Sequence, residues 1–135
     1  MSYFNANSKS SYLPYLFTMV AASLMTTYIE LWFTAQNHYI FLTRPFPTVF
    51  PIDIRLTLIV IPLFTFIALW IMKSLQGMNR FSFILLTSLL AMLLEPVSEQ
   101  AGWVAFSPDW KHLYSFFGYA VFLLLIRRIH VIADR

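Results

Sequence analysis

Four apolar runs, at about 12–33, 52–72, 81–103 and 108–131, are each bracketed by charged residues. The spacing of those charges constrains the fold more than any other feature of the chain. Lys9 to Glu30 is 21 residues, Arg55 to Lys73 is 18, Arg80 to Glu99 is 19, and Lys111 to Arg127 is 16. At a helical rise of about 1.5 Å per residue these intervals cover about 24–32 Å, close to the hydrocarbon thickness of a bilayer. The expected fold is all-α: a single integral membrane domain, residues 1–135, forming a four-helix bundle. Composition agrees. Hydrophobic residues make up 59% of the chain and charged ones 11%, against about 45–50% and about 25% in soluble domains. The lipid bilayer is therefore the first expected partner. Nucleic acid is not expected, because the basic residues punctuate apolar runs instead of clustering on one polar face.

Local signals refine this picture. The polar start "MSYFNANSKSS" and the absence of a small-residue cleavage motif after the first apolar run predict an uncleaved first span. "SSYLP" and "SPDW" (107–110) read as helix starts, the latter with an N-cap serine, a proline at the first helical position and an acid in the first turn. The tight "QGMN" connection (76–79) predicts that spans two and three are antiparallel neighbours. Pro62 and Pro96 fall inside spans and predict kinked second and third helices, near Leu58 and Met92. Lys9, Lys73, Arg80, Arg127, Arg128 and Arg135 fall on one side, against Arg44, Arg55 and Lys111 on the other. This bias predicts cytoplasmic termini in a multi-pass protein of the plasma membrane.

With that topology Glu30, Asp53, Glu95, Glu99 and Asp109 all lie toward the outer side. Ser23, Thr27, Glu30, Thr34 and Asn37 share one helix face of span one. Ser88, Ala91, Glu95, Ser98 and Gly102 share one face of span three, and Ser115 and Gly118 have the same period in span four. Faces of small and polar residues pack against other helices. The expected site is an outward-facing acidic pocket of Glu30, Glu95 and Glu99 with Arg55 as counter-charge. Arg44, His112, Trp103 and Trp110 are possible contributors, and the proline-stiffened loop "RPFPTVFP" lies on the membrane surface or covers the bundle.

Two carboxylates one turn apart can bind a cation together or share a proton. The plainer reading is a structural ion-pair network that fixes helix register. Trp32, Trp103 and Trp110 near one interface and Trp70 near the other form an aromatic belt, with a cage for a cationic ligand as the sharper alternative. His38 and His112 with the glutamates leave a metal or haem site open, without ligand spacing to support it. No resident cofactor is expected. Three glycines exclude a glycine-rich phosphate loop, and no Ser–His–acid order points to a hydrolase, so an enzyme is not the expected reading. The expectation is a membrane protein that binds a ligand or cation, or docks itself or another membrane protein, through the acidic pocket. The alternative is a small oligomeric transporter or channel component with Glu95 as the proton- or cation-coupling carboxylate.

From Arg44 onward the chain resembles a family of small, uncharacterised multi-pass membrane proteins of spore-forming Gram-positive bacteria. The residues that carry the resemblance are "RPFP" before a span interrupted by Pro62, Glu95 and Glu99 ending the third span, Trp110 in the following loop, and a last span ending at Arg127 and Arg128. The resemblance implies about four spans and attaches importance to the glutamate pair. It implies no mechanism.

Overall fold

The structure, a computed structural model, describes the backbone of residues 2–135 and side chains from residue 12 onward. The side chain of Lys9, one of the expected boundary charges, lies outside the described residues. In chain order the elements are α1 (Ser2–Ala35), β1 (Tyr39–Phe41), a π-helical turn (Leu56–Val60) running into α2 (Ile61–Ser74), α3 (Gly77–Gln100), β2 (Val104–Phe106) and α4 (His112–Ala133). Four helical stretches are long and apolar enough to cross a membrane: Tyr12–Ala35, Leu56–Ser74, Gly77–Gln100 and His112–Ala133.

The helices meet along a seam of small and apolar side chains. Ala22 of α1, Ala68, Leu69 and Met72 of α2, Ile84 of α3, and Leu123 and Ile126 of α4 are buried together. Thr18, Thr65 and Ser88 are fully buried on the same helices. Small residues let helix backbones approach closely, and hydroxyls bond back to their own helix: Thr18 to the Pro14 carbonyl and Ser88 to that of Ile84. Outward-facing positions are filled with residues such as Leu16, Val20, Leu63, Leu90 and Leu124. So broad an apolar exterior agrees with helices long and apolar enough to cross a membrane.

Pro62 shows how a buried backbone tolerates proline. The N–H of Ile61 reaches back five residues to the Leu56 carbonyl, which sets a π register. In that register the Thr57 carbonyl would take its bond from residue 62, a proline with no N–H. Ser23 of α1 supplies the missing donor, its Oγ 2.6 Å from the Thr57 oxygen. Near Leu58, where a kink is expected, the chain forms a π turn cross-linked to the neighbouring helix.

Several expectations are corrected. α1 is helical from Ser2, so "SSYLP" is interior and not a helix start. "SPDW" is a turn: the Ser107 carbonyl accepts from Trp110 N–H at 2.9 Å and its hydroxyl accepts from Asp109 N–H at 3.3 Å. Lys111 is then extended and α4 starts at His112. Spans two and three are not packed neighbours. α3 packs on α4, while α1 packs on both α2 and α4. The short linker joins the ends of α2 and α3, where Arg80 donates to the carbonyls of Met72 and Leu75. That contact fixes two ends and leaves the helix faces free.

The fold is also not wholly α. β1 and β2 pair antiparallel, with Tyr39 opposite Phe106, Ile40 opposite Ala105 and Phe41 opposite Val104. One device launches both strands. α1 ends with Asn37 in the left-handed conformation (φ 62°), and α3 ends with Gly102 at φ 79°. In each, the next residue's N–H bonds five residues back, His38 to the Phe33 carbonyl and Trp103 to that of Ser98. The left-handed residues bond to Thr34 and Glu99. These are Schellman caps, and at α1 the accompanying apolar contact is the His38 ring against Phe33.

Candidate functional site

The caps and the ribbon assemble a polar cluster at the end of the bundle opposite the chain termini. Because the chain reverses at Asn37, Tyr39 folds back over α1 and its hydroxyl donates to Glu30 Oε2 at 2.5 Å. Tyr39 is buried in a second apolar cluster with Phe41 and Ile52, against Phe33, Phe106 and Trp110. Burial, and then the negative charge and hydrogen bond of Glu30, push its phenol well above the ordinary tyrosine value, and Tyr119 and Glu95 add to the effect.

Three side chains, one from the turn after β2 and two from the start of α4, converge on Glu95. His112 Nδ1 lies 2.6 Å from Oε1, Trp110 Nε1 donates to Oε1 at 3.3 Å, and Ser115 Oγ donates to Oε2. His112 and Ser115 are three residues apart on α4, so both reach one carboxylate. They belong to the first turns of α4, whose amino-terminal end favours an anion. The Glu95 side chain retains 16% exposure. Glu30 is also partly buried, and the two carboxylates lie close enough to feel each other electrostatically, with Tyr119 within range of both.

Of the residues singled out from the sequence, Glu30, Glu95, His112 and Trp110 come together. Arg55 does not join them. Its guanidinium forks onto the carboxylate of Asp53, Nε to Oδ1 at 3.0 Å and Nη2 to Oδ2 at 2.9 Å. A partner two residues away forms this bidentate pair without loss of a distant contact, so the nearer acid wins. Burial opposes ionisation of Asp53, but the bonds from Arg55 outweigh it and hold the carboxyl below its ordinary value. Glu99 faces outward one turn beyond Glu95, and Trp103 is exposed. Arg44 is spent on backbone carbonyls of its own loop. Among the described residues the only basic side chain bonded to either buried acid is His112. No three His, Asp or Glu side chains among them converge as metal ligands.

Tyr39, Ser115 and Tyr119 complete the cluster, and the sequence pattern does not single them out as site residues. Ser115 was visible as part of a small-residue face. The tyrosines had no such signal, since Tyr39 reaches Glu30 only through the reversal at Asn37. Ser115 and His112 both address Glu95 and not each other, and the Ser98 hydroxyl bonds the Glu95 backbone carbonyl, so these groups do not form a nucleophile–base pair. A surface groove of about 500 Å³ lies at the other end of the bundle, lined by apolar side chains including Leu13, Phe17 and Ile129. The acids do not line it. No family model, curated protein or solved structure matches this chain, so the chemistry of the cluster rests on its own geometry.

Proposed function

We propose that this chain is a multi-pass protein of the plasma membrane, termini cytoplasmic, that binds a small cation at the outer end of its bundle. The observation that carries the reading is a charge imbalance. Two partly buried carboxylates on different helices, Glu30 and Glu95, lie within electrostatic range of each other and of Tyr119, and among the described residues one histidine is their only basic partner. Like charges in a low-dielectric setting repel, and His112 can neutralise at most one of them. A cation held between them removes the imbalance. The oxygens of Tyr39 and Ser115, already bonded to the two carboxylates, supply further polar contacts. The same residues would serve a transport role, with Glu95 as the coupling group. The arrangement on its own supports binding.

Thermal unfolding in mild detergent tests this across alkali, alkaline-earth and alkylammonium chlorides at constant ionic strength. A ligand of the native state at about 100 times its Kd adds about 2.7 kcal/mol. One cation class should raise the midpoint of the parent protein and leave Glu95→Gln and Glu30→Gln unmoved. The same response in parent and both variants, or no response to any cation, would end the reading.

A further inference from the structure

The loop between β1 and the π turn is built in a way the acid cluster does not require. Arg44 folds back on its own segment and its guanidinium donates to three backbone carbonyls: Nε to Phe50 at 2.8 Å, Nη2 to Pro47 at 3.3 Å, and Nη1 to Phe41. The N–H groups of Val49 and Phe50 converge on the Phe46 carbonyl at 2.9 Å each. Pro45, Pro47 and Pro51 have no N–H to satisfy. The loop thus meets much of its own backbone hydrogen-bonding demand, the condition for irregular chain to lie where water is scarce.

Its outer surface is the reverse of its interior. Phe46 is 65% exposed and Val49 67%, with Leu42 and Phe50 beside them, and the rings of Phe46 and Phe50 meet edge to face. Phe46 holds φ 50°, a conformation a bulky side chain rarely adopts, and the Arg44 fork fixes the backbone around it. A rigid turn is holding two phenylalanines outward.

The position of the loop identifies what meets them. Leu42 N–H donates to the Trp103 carbonyl at 2.8 Å and Thr43 Oγ1 to that of Gly102 at 3.3 Å, just past the end of α3. Arg55 Nη2 reaches the Thr43 carbonyl at 3.5 Å, just before the π turn. The loop therefore springs from the level at which two spans end, and Leu58 and Ile59, just beyond its carboxyl-terminal end, are exposed apolar residues as well. Given that the four helices cross a bilayer, as proposed above, we infer that residues 42–51 form a lipid-contacting wedge, with Phe46, Val49 and Phe50 seated among the acyl chains just below the headgroups of the outer leaflet. Aromatic side chains favour that layer, and a backbone that meets much of its own hydrogen-bonding demand eases the loop into it.

Site-directed spin labelling tests the wedge, since the chain has no cysteine. Full-length F46C and V49C, each carrying a nitroxide, are reconstituted into vesicles of phosphatidylethanolamine and phosphatidylglycerol. Collision rates with oxygen, which partitions into lipid, and with a polar nickel chelate are compared with those at L90C on the outer face of α3 and at D109C on the exposed turn. Oxygen should dominate at 46 and 49, less strongly than at 90, while nickel dominates at 109. Nickel dominance at 46 and 49 with oxygen dominance at 90 overturns the wedge and leaves the membrane reading standing. Low collision with both reagents at 46 and 49 overturns it in favour of a protein contact. Nickel dominance at 90 overturns the membrane reading itself.

Discussion

Each buried acid has found a different kind of neighbour. Glu95 collects three side-chain donors from α4 and the turn before it, whereas Glu30 has the phenol of Tyr39. Arg55, the strongest base nearby in sequence, is captured by Asp53. The carboxylates, His112 and Trp110 were legible in the sequence because charge and indole are conspicuous in an apolar run. The pairing was not, because a two-residue separation and a long-range one look equally available until the backbone is placed. Tyr39 gives a pH prediction. Its phenol is held above the ordinary value of 10.0, so the folded form keeps the proton at pH values where the unfolded chain loses it. The folded state then binds more protons than the unfolded one, and stability falls as pH rises above about 10. Tyr39→Phe should make this alkaline loss shallower, by the contribution of one titrating group, in thermal midpoints measured from about pH 9 to 11. An identical slope in parent and variant would show that Tyr39 is not the group responsible.

Helices were the easiest elements to read, since a charge every 16–21 residues and little else polar leaves few alternatives. The ribbon was hidden. Strands of three residues are too short to show alternation, and the residues that launch them, Asn37 and Gly102, also fit the polar helix faces on which they were placed. The sequence cue that could have separated the two readings is a glycine or asparagine just past the last periodic residue of a helix. Proline gave the opposite experience. Pro62 announced a backbone defect, and the structure places it in a π turn satisfied by Ser23. Ser23→Ala leaves the Thr57 carbonyl without that donor inside the bundle. It should lower stability by about 1–3 kcal/mol, the penalty for an unsatisfied buried polar group. Ser23→Thr, which keeps a hydroxyl, should recover most of the loss. Equal unfolding midpoints for parent and Ser23→Ala would show the bond to be dispensable.

For the whole molecule, the distribution of basic residues carries a prediction of sidedness. Lys73 and Arg80 flank the linker between α2 and α3, while Asp109 lies on the exposed turn beyond β2. In intact cells, D109C should react with a membrane-impermeant maleimide, and S74C only after the membrane is opened. The reverse pattern would invert the orientation and move the acid cluster to the cytoplasmic side. The bundle itself is uneven. Glu30 belongs to α1, which is gripped by α2 and α4, whereas Glu95 rides on α3, which rests mainly against α4. The helices that carry the two carboxylates lean on α4 far more than on each other, so any occupant bridging Glu30 and Glu95 would act as a strut between α1 and α3.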